Sequence, residues 1–166
     1  MKKKVCLFAS FILLSFVTVG CSSNEDVISS TVTYQSEDLV YDVPSSFEAT
    51  VSSPTNYYHW DDMDGERKNS CDFDVTTSSS LGGVASDYAY SNIAYMENDG
   101  NTINTFTTTI NGESWAVAEV TKEKAKYSSY AIVKDGILYL LQYDDVGSGD
   151  VCGQTFDTII NSLKFN

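Results

Sequence analysis

Two dipeptides limit the folds open to this chain more than any other feature. Thr102 to Ile110 and Glu113 to Val120 flank Asn111-Gly112, and Tyr127 to Lys134 and Ile137 to Tyr143 flank Asp135-Gly136. Asn-Gly and Asp-Gly tolerate the positive φ that tight hairpin turns require, so the pattern predicts two consecutive β-hairpins. In the last strand Ile137, Tyr139, Leu141 and Tyr143 point one way and Leu138 and Leu140 the other. A strand apolar on both sides has to be covered on both sides. The covering layers are expected to be helices. Phe156, Ile159, Ile160 and Leu163 recur at i, i+3, i+4 and i+7, the stripe of an amphipathic helix, with Ser148 or Asp150 to cap its start. It should end near Asn161 and run on as a short extended edge through Phe165. Val84 to Glu97, with Val84, Tyr88, Ala89 and Tyr95 apolar, is a second helix candidate. In the first half Leu39 to Val43, Tyr57 to Trp60 and Ser70 to Val75 read as strands. The expectation is α+β, an antiparallel β-sheet with helices packed on its faces.

The first twenty residues do not belong to that domain. Lys2, Lys3 and Lys4 precede a nearly unbroken apolar run from Val5 to Val19. The run has secretory length and falls short of the roughly 20 residues of a spanning helix, so 1–20 reads as a signal peptide. Gly20-Cys21-Ser22-Ser23 then turns abruptly polar and resembles the bacterial lipobox, with Thr18 where Leu is usual. That resemblance implies a diacylglyceryl (palmitate-bearing) lipid on Cys21 and a membrane-tethered protein of the bacterial cell envelope, outside the cytoplasm. Ordinary cleavage near Gly20, leaving a secreted chain, is the alternative. Residues 21–37 are rich in Ser, Thr, Asn and acids and read as a flexible tether. The domain is then 38–166, one unit with room for a sizeable core.

Signal accounting also settles the cysteines. Of four, Cys6 lies in the leader and Cys21 at the lipid site, leaving Cys71 and Cys152. An oxidising compartment favours a disulfide bond between them. A metal site using both with His59 lacks any close ligand spacing.

Charge narrows the partners. The chain has 10 Lys+Arg and 23 Asp+Glu, and removing the three leader lysines leaves 7 against 23, a formal −16. So acidic a surface repels phosphate backbones, and no nucleic acid partner is expected.

Val43-Pro44-Ser45-Ser46-Phe47, the paired hairpins with their Ile110-Asn111-Gly112 turn, and the ending Phe156-Asp157-Thr158-Ile159-Ile160-Asn161-Ser162-Leu163-Lys164-Phe165 together resemble PsbP-like lipoproteins. The resemblance runs from about Tyr41 to Asn166. It implies a PsbP-like α/β/α sandwich and, since that family is mainly non-catalytic, a binding or accessory role with no catalytic residue to carry over and no cofactor. The Cys71/Cys152 pair and the acidic stretch Asp61 to Glu66 lie outside that pattern.

The residues point the same way. His59 is the single histidine, placed in a Tyr-Tyr-His-Trp strand, and reads as a partly buried ring rather than a triad member. No G-x-S-x-G, H-E-x-x-H or phosphate-binding glycine loop occurs, and Gly147-Ser148-Gly149 reads as a flexible lead into the last helix. Glu113 and Glu119, six residues apart on one strand, stand about 20 Å from each other, too far for paired glycosidase acids. Two binding candidates remain. Asp61, Asp62, Asp64 and Glu66 offer hard oxygen ligands for calcium without EF-hand spacing. Tyr57, Tyr58 and Trp60, with Tyr88, Tyr90 and Tyr95, could form an exposed platform for a protein or glycan partner. The function expected is a membrane-tethered, non-catalytic binding module, the alternative a small envelope hydrolase or a carbohydrate-binding surface protein. A pocket bringing His59 to a carboxylate or hydroxyl would speak for the enzyme.

Overall fold

The computed structural model describes residues 30–61, 70–123, 125–146 and 149–166. The signal peptide, Cys21, the first part of the tether, Asp62, Asp64, Glu66 and the cap candidate Ser148 with Gly147 lie outside the described residues.

Among the described residues, ten strands and two helices form an α+β fold. In chain order they are β1 (Thr31–Ser36), β2 (Leu39–Pro44), β3 (Glu48–Val51), β4 (Thr55–Asp61), β5 (Ser70–Ser79), α1 (Ala85–Ile93), β6 (Asn104–Ile110), β7 (Glu113–Lys122), β8 (Ala125–Lys134), β9 (Ile137–Val146), α2 (Gly149–Ser162) and β10 (Lys164–Phe165). A 3-10 segment, Ala94–Asp99, follows α1. The main sheet has the order β3-β4-β5-β9-β8-β7-β6 with every pairing antiparallel, and β1-β2-β10 make a small second sheet. Both expected hairpins are present. Asn111 and Gly112 have φ of 50° and 87°, and Asp135 and Gly136 have 51° and 81°, the primed-turn geometry that suits twisted strands.

The two faces of the main sheet are covered differently. On one, Phe73, Trp115, Tyr139, Leu141 and Tyr143 pack with Cys152, Phe156 and Ile159 of α2 and with Leu39, Tyr41 and Val43 of β2. Phe156 stacks on Tyr143 at 4.3 Å between ring centroids. Cys71 and Cys152 are disulfide-bonded with Cα atoms 5.6 Å apart, joining β5 to α2 across 81 residues of sequence. On the other face Ala89 and Ile93 of α1, with Met96, rest on Ala116, Ala118, Val120 and Ala131 of β7 and β8. Alanines let the helix axis approach closely, so a short helix of modest propensity is held by contact rather than by its own sequence.

The tether expectation requires correction. Thr31–Ser36 is not free chain but β1, paired residue for residue with β2 from Thr31↔Pro44 to Ser36↔Leu39. The segment reads polar because five of its six side chains are Ser, Thr, Gln or the exposed Val32. Tyr34 docks it, its ring 4.8 Å from that of Tyr58, and the Ser36 hydroxyl bonds that of Thr77 on β5 at 3.1 Å. A strand with one half-buried ring and a full backbone ladder leaves almost no hydrophobic trace.

Candidate functional site: a histidine between carboxylates on the open half of a sheet

α1 covers only the β7–β8 end of its face, and the β4–β5–β9 end of that face is polar. Strand alternation sends Tyr57, His59 and Asp61 of β4 to this side. The antiparallel register then lines His59 up with Asp72 of β5 and Asp72 with Asp144 of β9, while the next row holds Tyr57, Asp74 and Gln142. Gln142 donates to Asp144 and accepts from Asn92 of α1, which ties the polar rows to the helix.

His59 is engaged at both ring nitrogens. Its Nδ1 lies 2.5 Å from Asp72 Oδ1 and its Nε2 3.2 Å from Asp61 Oδ2. The Tyr57 hydroxyl donates to the same Asp72 oxygen at 2.6 Å, and the Tyr57 and His59 rings stack at 6.2 Å. A neutral imidazole would turn one lone pair toward a carboxylate, whereas the imidazolium donates twice. The bond to Asp72 therefore raises the His59 pKa above 6.5, with Asp61 adding to the effect and partial burial opposing it. A general base needs a free lone pair within reach of a substrate proton. Both nitrogens are already committed here.

The carboxylates behind the histidine lack such compensation. Asp74 is raised to about 6 by burial and by the charges of Asp144 and Asp72. Asp144 is likewise raised to about 6, by burial and Asp72 against the bond from Gln142. Lysine ion pairs form elsewhere, Lys122 with Asp99, Lys126 with Glu119 and Lys134 with Glu113. Beside the histidine an open depression of about 370 Å³ is lined by Ser46, Glu48, His59, Trp60 and Asp61. A smaller one of about 190 Å³ at the far end of the sheet holds Lys134, whose charge is shared between Glu113 and the Phe165 ring 4.3 Å away.

These positions change what the sequence suggested. The Tyr57, Tyr58, Trp60 platform does not form, because alternation splits it across the sheet. Tyr58 is fully buried and hydrogen-bonded to Tyr41 at 2.8 Å, Trp60 packs against the same aromatic core, and Tyr57 alone of the three is exposed. Tyr88 turns into the second core and donates to the Ser80 carbonyl, Tyr90 donates to Glu97 at 2.6 Å, and Tyr95 is exposed. Of the calcium candidates Asp61 is described, and its carboxylate faces His59. Among the described residues no group of three His, Cys, Asp or Glu side chains could hold a metal ion. The expectation of His59 as a ring within an aromatic strand captures its stacking on Tyr57 and misses both carboxylates. Asp72 and Asp144 are far apart in sequence and meet only through the β5–β9 register. The one sequence signal was the alternation Cys71, Phe73, Val75 against Asp72, Asp74, which marks the two acids as sharing a face.

No protein-family model matches the chain, and no curated protein is similar to it. Among solved structures it is similar to a protein from Bacteroides thetaiotaomicron at 12% identity and a TM-score of 0.46, covering 84% of this chain and 49% of that one. The chain thus spans about half the length of that protein. It is also similar to the Ran-binding protein Mog1p of Saccharomyces cerevisiae at 10% identity and a TM-score of 0.50, covering 82% of this chain and 96% of Mog1p. At such identity the Mog1p likeness speaks to fold alone, and it supports the α+β architecture.

Proposed function

We propose that this chain is an extracytoplasmic lipoprotein, held to a membrane through lipid on Cys21, whose domain is a non-catalytic binding module. The observation that carries the binding reading is the double engagement of His59: a side chain locked between Asp72 and Asp61 holds the face in shape rather than moving protons. His59 does meet carboxylates beside a depression, the arrangement that would speak for a small envelope hydrolase. Such an enzyme would have to release Asp72 or Asp61 before the ring could take a substrate proton. The open polar half-face around Tyr57, His59 and Glu48 is the surface a protein or glycan partner would meet. The disulfide between Cys71 and Cys152 supports export, since such bonds persist in oxidising compartments. With α1 on one side and α2 on the other, we also read the layers as a PsbP-like α/β/α sandwich.

With β1 beginning at Thr31, residues 22–30 would be the whole tether, a reach of roughly 30 Å fully extended. That keeps the domain close to the membrane surface. Mass spectrometry of membrane-derived protein is expected to find a diacylglyceryl group on Cys21, and Cys21→Ser to move the chain to the soluble fraction. An unmodified Cys21 thiol on a protein cleaved near Gly20 would contradict the tether.

A further inference from the structure

β6 is an edge of the main sheet, and among the described residues no strand pairs with its outer side. An open row of N–H and C=O groups is a template for another strand, and proteins guard such edges with charge, proline or brevity. β6 has none of these guards. From Thr102 to Gly112 the sequence TINTFTTTING contains no charged residue and no proline, in a chain that is 20% charged, and six of the seven residues of β6 are the strand-favouring Thr, Phe or Ile. At its middle Phe106 is 44% exposed. The opposite edge, β3, is four residues long and carries Glu48.

We propose that β6 pairs antiparallel with β6 of a second copy, joining two seven-stranded sheets about a two-fold axis at Thr107. Charge selects the occupant. With a net charge of −13, two copies repel over most of their surfaces, and an uncharged strand is where they approach at least cost. A basic partner would instead seek the carboxylates. Centred on Thr107, the register sets Asn104 opposite Ile110, Thr105 opposite Thr109 and Phe106 opposite Thr108, so no like charges meet and the interface is self-complementary as a two-fold contact must be. Phe106 and Thr108 share a face, which makes the two phenyl rings diagonal neighbours across the axis.

The geometry also suits a common membrane. A two-fold axis between antiparallel strands stands perpendicular to the sheet, so the α2 sides of both copies face one way. β1 packs on that side through Tyr34, and both chains enter there at Ser30. Two copies anchored in one leaflet need that arrangement. This last point rests on the tether proposed above, whereas the pairing does not. An edge-to-edge contact is small and belongs to the weak, transient class, and a shared membrane would raise the effective concentration.

The test is sedimentation equilibrium on the chain without its leader, residues 21–166, carrying Cys21→Ser, which removes the lipid and Cys6, leaves Cys71 and Cys152 paired and keeps β6 intact. The mass should rise from one chain towards two as the concentration is raised. Thr107→Lys, which sets two like charges opposite each other, should hold the mass at one chain with an unchanged circular dichroism spectrum. Thr107→Cys should cross-link into a dimer under mild oxidation, and Thr50→Cys on β3 should not. A single-chain mass at every concentration, Thr107→Lys dimerising like its parent, or cross-linking at Thr50 in place of Thr107 would overturn the proposal.

Discussion

The two sides of the main sheet are built on opposite principles. Under α2 the sheet presents large rings, Phe73, Trp115, Tyr139 and Tyr143, sealed by Phe156 and stapled by the disulfide. Under α1 the sheet offers mainly alanines, with Val120, from β7 and β8, and beyond the helix the same face carries Asp72 and Asp74 of β5 and Asp144 of β9, with His59 facing Asp72. One side is invested in stability. The other keeps partly buried carboxylates beyond reach of the lysine pairs, an arrangement that costs stability at neutral pH. Such a division is what a protein needs when one face must persist and the other must meet something.

Changes to the α2 side should give the largest effects. Replacing Cys71 and Cys152 with Ser releases a closed loop of 81 residues, and unfolding by guanidinium should show a loss of about 4.5 kcal/mol on the chain-entropy treatment. Phe73→Ala should cost about 3–5 kcal/mol through the cavity it opens. Tyr57→Ala, across the sheet, should cost less, about 1–2 kcal/mol, through its bond to Asp72 and its stacking on His59. Equal losses from the two would erase the contrast.

A smaller effect of opposite sign is expected from the carboxylates. Asp74 and Asp144 are each raised in the folded state to about 6, against 3.8 for the free group. Between those values the folded protein binds more protons than the unfolded chain, so stability falls as pH rises from about 4 to 6 and stays lower above. His59 acts in the same direction, since its raised value gives stability that is complete below 6.5 and lost as pH climbs through the folded pKa. Asp74→Asn should stabilise the protein by about 1–2 kcal/mol at pH 7, and the gain should vanish near pH 4. Thermal melts of the two proteins across that range would show it; a variant less stable at pH 7 would mean the carboxylate is compensated after all.

Much of the fold was legible in the sequence because its signals are local. Asn111-Gly112 and Asp135-Gly136 fix their turns through two residues each, and the Phe156, Ile159, Leu163 stripe fixes α2. The missed strands, β1 and β3, lack local signal: the one large apolar ring of β1 is the half-buried Tyr34, and β3 is exposed at all four positions. The site was less legible than the fold. His59, Asp72 and Asp144 come from three strands, and no spacing along the chain encodes the register that aligns them. The aromatic platform failed for the converse reason. Tyr57, Tyr58 and Trp60 are neighbours in sequence, and a strand sends neighbours to opposite sides.

The sharpest contact between these ideas and experiment is the titration of His59, whose ring protons are unambiguous by NMR because the chain has one histidine. If Asp72 and Asp61 hold the ring as an imidazolium, its pKa lies above 6.5 and drops in Asp72→Asn. A pKa at or below 6.5 that Asp72→Asn leaves in place would mean that the ring is free, and the non-catalytic reading of this face would fall with it.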